Sequence, residues 1–309
     1  MSGLSTLWLR SAGEARGTII ALPGLMESVE ALLPTLGHWA GRGFNVLGVD
    51  PRGHGASPRW SSDLLDRHAG DVIVEDILAT LDAAPIEQTA PLILFGHSAG
   101  GAAAAAVAAR LIGSIRAVIL EDPFWRLPIT QFQDPAVAER AGAELSRLKS
   151  LPPAARIAEI RAIFPQWPED ELAAWARAKD DTDLSLVANG HVIPSRGWPT
   201  LVAELIGVGI PVQCLTGTIR IGLTANHRAI LRGLGAEVTV VRGASHFVRR
   251  DARDLFHTLT DNFLDRHLPA KTPNGAAHDA DASETLDNPV QLRVTPRDLL
   301  PLGGPSWPK

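Results

Sequence analysis

Hydrophobic positions follow two different periods along this chain. Six short runs read as strands, most of them apolar almost without interruption: Gly17–Leu22 (GTIIAL), Gly43–Val49 (GFNVLGV), Pro91–Phe95 (PLILF), Ile115–Leu120 (IRAVIL), Pro211–Leu215 (PVQCL) and Ala236–Val241 (AEVTVV). A strand with one solvated face alternates apolar and polar residues. A continuous run needs cover on both faces, which is the situation of a parallel strand between two helical layers. Helical periods lie between the runs, at about Ser28–Ala40, Asp71–Ala83, Ala99–Ile112, Ala225–Leu234 and Ala252–His267. This alternation predicts an α/β chain with a doubly wound, mostly parallel sheet.

The rhythm breaks between Pro123 and Pro199, where no convincing strand occurs. Amphipathic patterns at Ala136–Lys149, Ala154–Phe164 and Glu169–Lys179 replace it, with Pro152, Pro153, Pro165 and Pro168 at their ends. The expected organisation is a core in two parts, 1–122 and 200–268, interrupted by a helical cap at 123–199. Residues 269–309 are rich in Pro, Gly, Asp and Ala, have no period, and are expected to form a flexible, disordered tail. Within it Val290–Val294 (VQLRV) has strand character but no assignable place. Seven of the 16 aromatic residues fall in the cap segment, enough to line an apolar pocket or to pack the cap itself.

Composition narrows the function. The 29 basic and 34 acidic residues give a net charge of −5, so no basic field favours nucleic acid. A single cysteine, Cys214, excludes an intrachain disulfide framework and a thiolate metal cluster. The chain has no tyrosine, which excludes mechanisms that need a phenol. No apolar stretch reaches the roughly 18 residues of a membrane helix, and Arg10, Glu14 and Arg16 interrupt the N-terminal region where a secretory signal would lie. A cytoplasmic location is expected. No metal-ligand spacing or dinucleotide fingerprint appears, so neither metal nor cofactor is expected.

The strongest chemical signal is Gly96-His97-Ser98-Ala99-Gly100, between a predicted strand and a predicted helix. In that context GxSxG reads as a nucleophile elbow: the serine sits on a sharp turn above the sheet, and small flanking residues let strand and helix approach. The helix N-terminus points free N–H groups at developing negative charge. Further segments follow in order: Ala21-Leu22-Pro23-Gly24-Leu25-Met26 after an early strand, Asp50-Pro51-Arg52-Gly53-His54-Gly55-Ala56-Ser57, and Gly243-Ala244-Ser245-His246-Phe247 after the last strand.

On these motifs, residues 5–267 resemble the α/β-hydrolase superfamily. The resemblance implies that Ser98 is the nucleophile, His246 the general base, and the backbone N–H groups of Leu25 and Ala99 an oxyanion hole. It makes the first segment the oxyanion loop, with Pro23 where a histidine is usual, and the second a turn that braces the site. The acid of the triad usually follows the strand that here reads Pro211–Leu215, yet Thr216–Gly222 contains no Asp or Glu. Some lineages carry the acid one strand earlier, where this chain has Glu121-Asp122-Pro123. Asp122 is therefore the expected acid, with Glu121 the alternative and a cap-hinge turn the competing role. Met26, Phe124, Trp125 and Trp167 are the expected pocket residues, and His191 a further cap candidate.

Dehalogenases and epoxide hydrolases of this fold use an aspartate nucleophile, and the latter use cap tyrosines; Ser98 and the absence of tyrosine argue against both. The expected activity is hydrolysis of a small, apolar carboxylic ester or lactone through an acyl-enzyme. Carbon–carbon bond hydrolysis and cofactor-free perhydrolysis remain alternatives. So does a receptor-like protein without turnover, given the empty acid position. The sequence leaves the oligomeric state open.

Overall fold

The computed structural model describes residues 3–64, 66–86, 90–126, 135–219 and 222–269. The strands are β1 (Thr6–Leu9), β2 (Thr18–Leu22), β3 (Asn45–Val49), β4 (Leu92–His97), β5 (Ile115–Glu121), β6 (Val212–Thr216) and β7 (Glu237–Val240). They form one sheet in the order β1-β3-β2-β4-β5-β6-β7. Every pairing is parallel except β1 with β3, which is antiparallel. Strands β2 to β7 coincide with the six runs of the sequence, and of these only β7, at the sheet edge, is largely unburied. β1 is an additional edge strand, half-exposed along its length.

Helices cover both faces. The core helices are α1 (Leu33–Gly41), α2 (Ala69–Ala83) and α3 (Ala99–Arg110). Between β5 and β6 the chain forms α4 (Pro135–Ser150), α5 (Pro153–Ile163), α6 (Glu169–Asp180), α7 (Leu184–Asn189) and α8 (Trp198–Gly207). After β6 come α9 (Ala225–Leu234), α10 (Val248–Asp251) and α11 (Arg253–His267).

The two-residue period of a strand divides β2 between two cores. Ile20 and Leu22 join α2, α3 and α8 in one core, while Ile19 and Ala21 join α1 and α11 in the other. Helix α3 is buried from Gly100 to Val107 and is almost all alanine and glycine, which lets it lie close under the sheet's centre. A third, smaller cluster (Leu148, Ile160, Trp167, Leu172, Trp175, Ala176) holds α4, α5 and α6 together. Phe132, Val290–Val294 and the expected tail beyond Pro269 lie outside the described residues.

Candidate functional site

Ser98 sits between β4 and α3 with φ 54° and ψ −120°, a conformation that L-residues rarely hold. Packing enforces it. A Cβ on Gly96 would lie 2.3 Å from the Gly100 carbonyl oxygen, and one on Gly100 would lie 2.3 Å from that of Pro23. Both positions therefore require glycine for close approach. The Ser98 N–H donates to the Glu121 carbonyl at 3.0 Å, tying the elbow to the end of β5.

Asp122 is the first residue past β5 and has φ 38°. Its carboxylate is fully buried and accepts four hydrogen bonds. Oδ1 receives the Thr216 hydroxyl at 2.6 Å and the Leu223 N–H at 3.0 Å. Oδ2 receives the Gly222 N–H at 2.6 Å and His246 Nδ1 at 2.5 Å. Burial alone would raise the Asp122 carboxyl, but His246 and these donors overcome it and hold the group below its ordinary value. Burial likewise opposes charge on His246. The Asp122 hydrogen bond and the charges of Asp122, Glu121 and Glu27 outweigh that and keep the imidazole above its ordinary value.

Glu121 is equally buried but faces a different partner. Its two oxygens accept the Arg249 N–H and guanidinium, each at 2.8 Å. Arg249 also reaches Glu27 at 3.0 Å, and Arg250 bridges Glu27 at 2.7 Å to Glu171 on α6 at 2.6 Å. These five charges are all buried. They join the loop after β2, the end of β5, α10 and α6. Burial would raise the Glu27 carboxyl, yet Arg249, Arg250 and His97 hold it well below the usual carboxylate range. Glu27 also accepts the Gly24 N–H at 3.0 Å. The His97 ring lies between Glu27 Oε2 (2.7 Å) and the His246 carbonyl oxygen (3.1 Å), so it spans the two loops beside Ser98. The GxSxG motif gives no sign of this second role of His97.

A cavity of about 260 Å³ opens over these strand ends. Ser98, Ala99, Leu25 and His246 line it together with Met26, Phe124, Trp175 and Phe247. Among the described residues, neither the Leu25 nor the Ala99 N–H donates to a protein acceptor. Two expected pocket residues lie elsewhere. Asp122 turns the chain so that Phe124 meets the cavity while Trp125 points into the core, stacked on Trp198 at 4.8 Å. Trp167 stacks on Phe164 at 4.6 Å and donates from its indole to Asp251 at 2.8 Å, behind the cavity wall. His191 packs against His68, with ring centroids 5.4 Å apart, and does not line the cavity.

Lys179 on α6 was not anticipated. Its ammonium lies in the cavity wall, 2.8 Å from the Met26 carbonyl oxygen and 4.3 Å from the centre of the Trp175 ring. Burial pushes it down to about 7. Among the described residues no cluster of His, Cys, Asp and Glu is arranged to hold a metal ion, and no helix is long and apolar enough to cross a membrane.

Solved structures with the same fold include E-2-(acetamidomethylene)succinate hydrolase (TM-score 0.64, 20% identity, 85% of this chain and 95% of that chain covered). The enol-lactonase of Burkholderia xenovorans LB400 gives 0.61 and 22%, with 84% and 96% covered. An esterase from Exiguobacterium antarcticum gives 0.65 and 14%, with 85% and 95% covered. No curated protein matches the sequence. The family model described as serine aminopeptidase, S33 matches residues 13–182, more than half of the sequence, and the chain belongs to this α/β-hydrolase family.

Proposed function

We propose that the protein hydrolyses a carboxylic ester or lactone through an acyl-enzyme, with Ser98 as nucleophile, His246 as general base and Asp122 as the orienting acid. One observation carries the reading: the Asp122 carboxylate accepts from His246 Nδ1 at 2.5 Å, and that imidazole shares a cavity with the strained Ser98 elbow. A carboxylate on Nδ1 fixes the tautomer that leaves Nε2 free to take a proton.

Ser98 Oγ attacks the acyl carbon as its proton passes to His246, and the carbonyl electron pair becomes an oxyanion. The Leu25 and Ala99 N–H groups receive that charge, each such donor being worth about 2.7–4 kcal/mol in a related setting. As the oxyanion collapses, the imidazolium protonates the departing alkoxide. Water, deprotonated by the same imidazole, then releases the acid and restores Ser98. The helices between β5 and β6 act as a cap that supplies Trp175 and the outer wall. The esterase and lactonase among the fold neighbours are compatible with this chemistry.

A fluorophosphonate probe tests the reading. It labels the wild type and not Ser98→Ala, and a panel of chromogenic esters and lactones is turned over only by the labelled protein. Folded wild-type protein that resists the probe would defeat the proposal.

A further inference from the structure

One buried charge has neither a step in the proposed mechanism nor an ion-pair partner among the described residues. Lys179 is 4% exposed, yet among the described residues the only hydrogen bond from its ammonium goes to the Met26 carbonyl oxygen. Trp175 covers another side. Among the described residues no carboxylate forms an ion pair with it. The charges that act on it are Glu27, which attracts, and Arg250 and Arg156, which repel. Glu27 is already committed to Arg249, Arg250, His97 and the Gly24 N–H. Arg156 is paired with Asp180. The remaining carboxylates in the cavity wall, Glu144 and Glu159, are bound by Arg147.

A buried ammonium with spare N–H groups is costly unless a counter-charge arrives. Here it borders the cavity and touches the residue next to Leu25, the proposed oxyanion donor. We propose that Lys179 recognises a carboxylate on the acyl part of the substrate, so that the preferred substrates are half-esters or lactones of acids bearing a second, ionised carboxyl group. This rests on the hydrolase reading and specifies its substrate class. An anion bound there restores the full charge of an ammonium that burial has made easy to deprotonate.

Two p-nitrophenyl esters of adipic acid, one with a free distal carboxylate and one with that carboxylate methylated, provide the test. The expected wild-type preference in kcat/KM for the free acid is roughly 10- to 100-fold, the range of a desolvated charge-assisted hydrogen bond. In Lys179→Met that ratio falls towards one. If Lys179 only braces the loop, both esters lose rate equally and the ratio persists, which overturns the proposal.

A second measurement needs no turnover and compares Ser98→Ala with the Ser98→Ala, Lys179→Met double variant, because His246, held above its ordinary value by Asp122, and Arg140 line the same cavity. Calorimetry with monomethyl adipate near pH 7.5 shows binding and proton uptake in Ser98→Ala, and both fall at least tenfold in the double variant; dimethyl adipate does not distinguish the two proteins. Equal affinity for monomethyl adipate in the two proteins overturns the inference. Probe labelling of Ser98 without any preference between the two esters defeats the inference alone. Failure of labelling with proton-linked binding intact defeats the hydrolase reading and leaves the anion site standing.

Discussion

β5 and β6 end side by side, with Glu121 in register with Leu215, but they contribute opposite things to the site. β5 ends in the carboxylate of Asp122. β6 ends in a hydroxyl and two backbone N–H groups, those of Thr216, Gly222 and Leu223, and all three donate to that carboxylate. The acid expected after β6 is absent there, and Thr216, Gly222 and Leu223 instead cradle the carboxylate offered by β5. What the imidazole requires is negative charge at one point beside Nδ1. Two neighbouring strand ends can reach that point, provided the other supplies donors that keep the charge ionised in a buried place.

The sharpest break of this comparison is to remove the charge and keep the shape. Asp122→Asn is expected to lower kcat on the order of 10⁴-fold and Ser98→Ala on the order of 10⁶-fold, with far-UV circular dichroism unchanged. An Asn amide facing His246 stabilises the wrong tautomer, and one facing the cradle meets the Leu223 N–H. Turnover within tenfold of wild type would remove Asp122 from the mechanism. The pH profile gives a second readout. His246 acts as base only when neutral, so kcat/KM rises with pH through a midpoint above the ordinary histidine value. With the Asp122 charge gone, that midpoint moves down.

The neighbouring Glu121 should respond differently. Glu121→Gln leaves Arg249 buried with Glu27 as its remaining carboxylate. Breaking one side of a buried pair costs about 3–5 kcal/mol, and the surviving partner places this variant at the low end. Chemical denaturation measures the loss. A kcat deficit for Glu121→Gln as deep as that of Asp122→Asn would show that the two adjacent carboxylates do not divide between scaffold and chemistry.

How much of this was legible beforehand follows the same division. Strands buried on both faces announce themselves, and β2 to β6 do. β1 is short, antiparallel and half-exposed, so its four residues carry no such signature. Helix α8 was missed because Trp198–Gly207 is nearly as apolar as the strand after it. The pairing of Asp122 with His246 could be expected because the sequence after β6 lacks a carboxylate while the β5 end has two. Trp125 and Trp167 were misplaced because nearness in sequence does not determine which way a side chain turns. Phe124 and Trp125 diverge at one residue's separation. Lys179 was illegible: its helix carries Arg177, Lys179 and Asp180 within its last turn, and only packing against the Met26 loop decides which of them is buried.

The smallest effect tests the cradle itself. Thr216→Val removes the hydroxyl donor and nearly preserves volume, leaving Asp122 with Gly222, Leu223 and His246. Loss of one hydrogen bond to a charged group costs about 1.5–3 kcal/mol at most, and the remaining donors compensate in part. A fall in kcat of roughly 5- to 30-fold is expected, each factor of ten being about 1.4 kcal/mol. The direction of the pH midpoint is the more discriminating result. A carboxylate with one donor fewer is a stronger acceptor, so it draws the His246 proton harder and moves the midpoint up, opposite to Asp122→Asn. If the midpoint moved down in both variants, the end of β6 would be doing something other than balancing the charge at the end of β5.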